Sequence, residues 1–299
     1  MKGSHRWRLL AQLLDDAVLG YPASTSGAPH IRVPTGAQGL HLQFIVGSLP
    51  IALLVAGNGL LARATLLVIA LLTATFWECL FAWKRQRPVD EGILLTAWLF
   101  ALIVPPDTPL LQAVASISFG VVFGKAVFGG DGRYLVSPPL LALVFLVFAY
   151  PDTVIDPVGW TPVPGEERLA ALACLFGAAW LIATGSASWR IITGAVIGLL
   201  IAVAIDSLTG PAATATSAAW YWPLVSGGFA FGVVFIATDP TASAMTNPGR
   251  FASGVLTGLL SYLVGAMFAI LLASLFAPLF DAAAVAVNIR RRRARERRS

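Results

Sequence analysis

Charged residues are scarce in this sequence. They make up 12% of its 299 residues, whereas a soluble domain usually carries about 25%. Hydrophobic residues account for 57%, and apolar runs recur from residue 42 to residue 288. Each run has roughly 20 residues, which as a helix crosses the ~30 Å hydrocarbon core of a bilayer. The series of runs predicts an all-α, polytopic membrane protein and excludes an ordinary soluble domain.

Cysteine and histidine are also rare, and neither has the spacing of a metal site. The two cysteines, Cys79 and Cys174, fall inside apolar runs and form no CxxC pair. They therefore support neither a disulfide framework nor an iron–sulfur or zinc centre. His5, His30 and His41 are scattered near the start of the chain, and we assign them no chemistry. The sequence also lacks a nucleotide-binding loop, HExxH and GxSxG, which argues against a self-contained ATPase or hydrolase.

The net charge of +5 is concentrated behind the last apolar run. The arginines there are Arg290, Arg291, Arg292, Arg293, Arg295, Arg297 and Arg298. A basic segment in that position marks the cytoplasmic side or contacts anionic lipid headgroups, so we expect no nucleic-acid partner. The first 20 residues lack a long apolar stretch and a cleavage site, so we expect insertion to rely on the first spanning helix.

The apolar runs divide into about ten predicted transmembrane helices. We place them near residues 42–61, 63–83, 92–104, 109–127, 136–150, 169–185, 190–207, 220–237, 251–264 and 266–288. With the N-terminus in the cytoplasm, every one of the 20 basic residues except Arg63 and Arg168 falls on the cytoplasmic side. This agrees with the positive-inside rule and places both termini in the cytoplasm. Gly265 is the expected hinge between the last two helices.

Ten crossings form two sets of five, and an odd number per set inverts the second set. The predicted parts are a cytoplasmic arm (1–41), a first five-helix repeat (42–150), an outer loop (151–168), a second repeat (169–288) and a basic tail (289–299).

Two helices, at equivalent places in the two halves, run into proline. The third ends in FALIVPPDTP (100–109) and the eighth in FIATDPTA (235–242). Proline stops a helix and leaves carbonyl groups without their usual donors. Such paired interruptions point to a central site for a substrate or an ion, although they also suit simple loop punctuation.

Two carboxylates are candidates for that site. Glu78 lies within the apolar run FWECLFAW, and Asp239 lies where the eighth helix breaks. A buried carboxylate is costly in a membrane and usually has a partner, so the two suit a hard cation such as Na⁺, or a proton. The alternatives are an interfacial pair of Glu78 with Lys84 or Arg85, and an ordinary turn or cap at Asp239.

A glycine-rich segment, FGGDGR, begins at Phe128. Gly129 and Gly130 allow close backbone approach, so exposed amides there are candidates to hold a phosphate or a flavin ring. The same run also suits a plain turn.

Several long motifs together resemble one known family. They are FWECLFAWKRQ, EGILLTAWLFALIVPPDTPLLQAVASISFGVVFGKAVFGGDGR, FLVFAYP, GSASWRI, GGFAFGVVFIATDPTASAMTNPGR and LFAPLFDAAAVAVNIRRRRAR. They resemble the B subunit of sodium-translocating NADH:quinone oxidoreductase and its paralogue RnfD in the Rnf electron-transport complex. The likeness runs in order from about residue 76 to residue 295 and marks a divergent, shortened member.

The resemblance implies a bacterial inner-membrane flavoprotein that passes electrons toward quinone and couples them to cation movement. It assigns cation handling to Glu78 and Asp239, and it places Phe128, Gly129 and Gly130 in the riboflavin and quinone region. Its other implied partners are the membrane subunits of the complex.

The sequence departs from that family at its flavin motifs. The family joins FMN to a threonine in a pattern like D-G-x-S-G-A-T, for which Thr161 is the candidate here. Val158 and Trp160 stand where the pattern has serine and alanine. Tyr134 and Ser137 replace two asparagines after FGGDGR, which weakens the case for riboflavin.

The leading hypothesis is a membrane subunit of an Nqr/Rnf-like redox complex that transfers electrons through flavin. Two alternatives stay open. One is a channel or transporter that keeps the ten-helix frame without redox groups. The other is a membrane scaffold for redox partners.

Overall fold

The protein is all-helical across the part of the chain that the computed structural model describes. That part consists of residues 37–57, 59–86, 89, 92–151, 167–209 and 228–296. The helices are α1 (Ala37–Gly57), α2 (Leu60–Arg85), α3 (Ile93–Ile103), α4 (Leu110–Val121, continued as a π-helical turn over Val122–Ala126), α5 (Pro138–Ala149), α6 (Glu167–Ala183), α7 (Trp189–Thr209), α8 (Phe229–Phe231, continued as a π-helical turn over Gly232–Ala237), α9 (Asn247–Val264) and α10 (Ala266–Glu296).

Each predicted helix has a counterpart among these ten, but most of the ends differ from the predicted ones, and the first and last ends do so by several residues. Helix α1 begins at Ala37, before the predicted start at residue 42. Helix α10 continues through the basic segment to Glu296, whose carboxylate pairs with Arg292 one turn earlier at 3.1 Å. The hinge prediction is confirmed: Gly265, at φ 84° and ψ 154°, separates α9 from α10, and the two helices pack against each other.

The outer surface of the helices is apolar. Leu61 and Leu208 are both 84% exposed, and Leu53, Leu111 and Phe148 also face outward. So much contiguous apolar surface is what a bilayer covers. Within the residues that the structure describes, four helices, α1, α2, α7 and α10, are long and apolar enough to cross a membrane by length and composition. The chain therefore has the character of a polytopic membrane protein.

Helix α3 is too short to cross a bilayer alone, and the described part of α8 is shorter still. Helix α3 has 11 residues, about 16 Å at 1.5 Å per residue. The described part of α8 spans the three residues Phe229–Phe231 and the six residues of the π-helical turn. Both lie in the protein interior, since Phe100 in α3 and Phe235 in α8 belong to one buried cluster.

The two sets of five helices share a packing pattern. In the first set, α3 contacts α1, α2 and α5, and α4 contacts α2 and α5. In the second, α8 contacts α6, α7 and α10, and α9 contacts α7 and α10. The pairs α1–α6 and α5–α10 connect the two sets.

Small residues allow the closest helix crossing. Gly194 and Gly198 in α7 face Gly254 and Gly258 in α9, so a GxxxG pair lies on each helix. A Cβ atom at Gly194 would lie 2.7 Å from the carbonyl oxygen of Phe251, and one at Gly258 would strike that of Ala195. Without side chains at these positions, the two backbones pack directly against each other.

Replacing Gly258 by leucine is expected to force α7 and α9 apart. We expect the unfolding temperature in detergent to fall by about 5 °C or more, because overpacking costs about 1–3 kcal/mol. The matched control is Gly57→Leu at the end of α1, where a Cβ atom meets nothing within 4 Å. Equal unfolding temperatures for the two variants would contradict this account of the crossing.

Candidate functional site

A small cavity lies where the loops after α4 and α8 meet α1 and the start of α3. It encloses about 30 Å³, room for a few water molecules or a single ion and far too little for a flavin ring. Both sets of helices contribute to it. The polar residues that line it are His41, Thr96, Asp131, Tyr134, Ser137, Asp239 and Thr241.

Asp239 is held in this cavity by the turn that follows α8. Its Oδ1 accepts a hydrogen bond from the amide of Thr241 at 3.0 Å, which closes an Asx turn around Pro240. Its Oδ2 accepts the hydroxyl of Tyr134 at 3.0 Å. Burial raises the pKa of this carboxyl group to about 6, while the hydrogen bonds from Thr241 and Tyr134 act to lower it. The site therefore presents an acid that changes its charge just below neutral pH.

Tyr134 connects the two halves of the molecule at this point. It lies in the loop between α4 and α5 and is buried, and its hydroxyl group reaches across to the loop after α8. Burial and the neighbouring carboxylates of Asp239 and Asp131 raise the pKa of the Tyr134 phenol. The phenol therefore stays protonated and acts as a hydrogen-bond donor to Asp239.

A second carboxylate, that of Asp131, also lines the cavity. Its Oδ2 is 3.3 Å from Nε2 of His41 in α1. A Cβ atom at Gly92 would lie 2.8 Å from the same oxygen, so the glycine before α3 leaves room for this carboxylate. An acidic group beside a helix N-terminus is stabilised by the helix dipole. Sequence reasoning gave His41 no role, and no local spacing links it to Asp131.

Glu78, the other predicted cation ligand, does not line this cavity. Its Oε1 pairs with Nζ of Lys125 at 2.8 Å, and both side chains are buried. The sequence suggested Lys84 or Arg85 as alternative partners of Glu78. Its partner here is Lys125, which lies in the π-helical turn of α4, within the predicted helix 109–127, and is 1% exposed. The two predicted carboxylates thus occupy separate surroundings.

The proline residues after α3 suggested carbonyl groups without hydrogen-bond donors at its end. In the structure these carbonyl groups have a donor. Nη1 of Arg63 in α2 donates to the carbonyl oxygens of Ala101 at 2.8 Å and Leu102 at 3.4 Å, and to that of Val104. The prediction is wrong for this helix. Arg63 was one of two basic residues predicted outside the cytoplasmic side. The contact explains this exception, because the negative end of a helix holds the guanidinium group in place.

Similarity to known proteins identifies the family of this chain. Residues 24–165 and 165–290 match the sequence profile of the NQR2, RnfD, RnfE family. The chain belongs to this family. Family membership confirms the resemblance that the long motifs indicated.

Members of the NQR2, RnfD, RnfE family include well-matched relatives. The B subunit of the Na⁺-translocating NADH-quinone reductase from Stutzerimonas stutzeri is 39% identical over 266 residues. Its counterpart is 40% identical in Pseudomonas aeruginosa over 266 residues and 38% identical in Neisseria meningitidis over 270 residues. Each match covers 74% of this chain and 66% of the relative, so the chain spans just under two thirds of these longer proteins.

The segment that the NQR2/RnfD resemblance assigns to riboflavin and quinone ends a helix in this structure. The amide of Gly129 donates to the carbonyl of Ala126, and that of Gly130 donates to Lys125, both at 3.2 Å. Gly129 and Gly130 have φ values of 112° and 106°, the conformation that a glycine helix cap needs. These amides are therefore engaged in capping α4. Phe128, which is 50% exposed, is the part of this segment that offers a flat surface to a ring.

The predicted attachment point for FMN in the family pattern, Thr161, lies outside the residues that the structure describes. Tyr134 belongs to the other departure, after FGGDGR, where the resemblance implies asparagine. Here its phenol donates to Asp239. Tyr134, which weakened the case for riboflavin, therefore contacts a candidate cation ligand directly.

Proposed function

We propose that the chain is a membrane subunit of an Nqr/Rnf-like redox complex in the bacterial inner membrane. In this role it passes electrons through flavin toward quinone or a partner subunit, coupled to the movement of Na⁺ or H⁺. Family membership supports this role, and so do relatives named for Na⁺ translocation and NADH-quinone reduction. The partners are then the other membrane subunits of that complex.

The proposed topology is ten crossings in two inverted repeats with both termini in the cytoplasm. The shared packing pattern of the two sets of helices supports the repeat, and the distribution of lysine and arginine supports the orientation. The proposed boundaries are the arm 1–41, the repeats 42–150 and 169–288, the outer loop 151–168 and the tail 289–299.

The proposed coupling site is the cavity at Asp239. The observation that carries it is a carboxylate with raised pKa on a water-sized cavity between the two repeats. When ionised, Asp239 offers oxygen ligands to Na⁺, and at lower pH it binds a proton instead. Tyr134 and Thr241 fix the orientation of the carboxylate. Glu78, the second residue that the family resemblance assigns to cation handling, is paired with Lys125.

The flavin part of the proposal assigns FMN to Thr161 and riboflavin or quinone to the surface at Phe128. Flavins supply one-electron and two-electron transfer, which the protein tunes by holding the ring in place. The cavity at Asp239 is too small for a flavin ring, so Phe128 is proposed to contact a ring at the protein surface.

Covalent FMN gives a direct test. The wild-type band on a denaturing gel is expected to fluoresce under ultraviolet light, because a phosphoester at Thr161 survives denaturation. The Thr161→Val band is expected to be dark at the same protein load. A dark wild-type band, or a Thr161→Val band that still fluoresces, would remove Thr161 from the proposal.

A transporter without redox groups is the second candidate. Two observations favour it: the altered pattern around Thr161, and the use of the Gly129 and Gly130 amides as a helix cap. Liposomes that contain only this chain would then take up solute. A bound flavin spectrum in the purified protein supports the redox role instead.

A further inference from the structure

The two interrupted helices end in different electrostatic surroundings. At the end of α3, the guanidinium group of Arg63 donates to three carbonyl oxygens. At the end of α8, the carbonyl of Val234 accepts the hydroxyl of Thr238 at 2.6 Å, a neutral donor. The C-terminus of a helix carries partial negative charge and attracts cations. Helix α3 thus has a tethered cation at its end, whereas α8 has the carboxylate of Asp239 beside it.

At the end of α3 the guanidinium group of Arg63 binds carbonyl oxygens of a kind that also suits a metal cation. Grouped carbonyl oxygens at a broken helix are ligands for Na⁺. Arginine stays charged throughout the physiological pH range, and its planar group reaches several oxygens at once. A free cation would have to displace Arg63 from all three carbonyl groups.

The buried carboxylate of the first half has a tethered cation as well. Nζ of Lys125 lies 2.8 Å from Oε1 of Glu78, with both side chains almost wholly buried. Lys125 belongs to a π-helical turn, a local distortion that is frequent at functional sites. Since both charges are out of water, Na⁺ gains Glu78 only if Lys125 leaves or loses its charge.

We propose that Arg63 and Lys125 are built-in cations: Arg63 binds the carbonyl oxygens at the end of α3, and Lys125 binds the carboxylate of Glu78. Exchangeable Na⁺ then binds at the Asp239 cavity alone. This inference rests on the proposed function of that cavity. The two halves then differ. In the first half, side-chain cations neutralise the carboxylate and the helix end, whereas in the second half Asp239 binds Na⁺ from solution. Glu78 is then a latent site that Lys125 keeps closed.

The test compares sodium-dependent stabilisation of purified full-chain variants. The unfolding temperature is measured in NaCl and in choline chloride at equal ionic strength. Wild-type protein is expected to gain about 3 °C at ten times the sodium dissociation constant, and Asp239→Asn is expected to lose this gain. Lys125→Met is expected to add a second sodium-dependent gain. That second gain disappears in the double variant Lys125→Met/Glu78→Gln and is absent from the charge-preserving control, Lys125→Arg.

Different variants test the built-in cations and the proposed sodium site at Asp239. The wild-type and Asp239→Asn arms report on the proposed cavity, and a wild-type protein without a sodium response removes that part of the proposed function. The Lys125 arms report on the built-in cation. A Lys125→Met protein that elutes as a folded species without an added sodium response overturns the inference, and so does a wild-type response that is lost in Glu78→Gln and kept in Asp239→Asn.

Discussion

Removing either member of the Glu78–Lys125 pair is expected to destabilise the protein strongly, and removing both is expected to restore most of the loss. Breaking a buried ion pair costs about 3–5 kcal/mol, because the remaining charge loses its oppositely charged neighbour away from water. At this chain length that corresponds to a fall in unfolding temperature of roughly 10 °C for Glu78→Gln or Lys125→Met. The neutral double variant leaves no buried charge and is expected to lie within about 3 °C of wild type.

The control for this cycle is Lys84→Met. Lys84 lies on the same helix as Glu78 but is exposed, so its replacement is expected to change stability by about 0.5 kcal/mol at most. Thermal unfolding in one detergent, followed by circular dichroism, measures all four variants. Additive losses in the double variant would contradict the pairing of Glu78 with Lys125.

Asparagine at position 239 is expected to reduce sodium-dependent turnover of the assembled complex by about tenfold or more. The amide cannot carry the negative charge that pairs with Na⁺, and a charged hydrogen-bonded group is worth about 1.5–3 kcal/mol. The measurement is quinone reduction against sodium concentration at pH 8. Asp206→Asn is the matched control, because Asp206 also accepts a tyrosine hydroxyl, from Tyr262 at 2.8 Å, but lies away from the cavity. Loss of sodium dependence in the control, or none in Asp239→Asn, would contradict the assignment.

Tyr134→Phe tests the same site through its pH dependence. The carboxyl group of Asp239, with a pKa of about 6, is ionised above that pH, so apparent sodium affinity is expected to fall as pH drops through 6. The hydrogen bond from Tyr134 stabilises the ionised form and lowers this pKa. In Tyr134→Phe the fall in affinity is therefore expected to begin at a higher pH. An unchanged pH profile would show that the phenol does not act on Asp239.

The helices themselves were predictable from the sequence. Apolar runs and proline or glycine interruptions are local signals, and they located the ten helices of the described residues and the hinge at Gly265. The exact ends were not predictable in the same way. Helix α10 continues through a row of arginines because arginine is a good helix former, so a change from apolar to charged residues does not end a helix.

The site was predictable only in part, because its contacts join residues distant in sequence. Asp239 and Glu78 were identified as carboxylates in apolar surroundings, which is a local signal. Their partners were not, since Tyr134 and Lys125 meet them only through tertiary packing. Lys125 lies within a predicted helix, but nothing local in the sequence shows that the π-helical turn buries its side chain.

One further signal was present in the sequence but incomplete. The GxxxG motifs of α7 and α9 can be read from the sequence as close-packing surfaces. The sequence does not say which helices they join, and only the structure shows Gly194 against the Phe251 backbone.

The central claim, that this chain carries sodium across the membrane at Asp239, is tested most directly by ²²Na⁺ uptake. Inside-out vesicles from cells that contain the complex are supplied with NADH, with a protonophore present. We expect wild-type vesicles to accumulate ²²Na⁺ and Asp239→Asn vesicles with equal amounts of complex to accumulate none. Uptake that the protonophore abolishes in wild type, or that persists in Asp239→Asn, would contradict the claim.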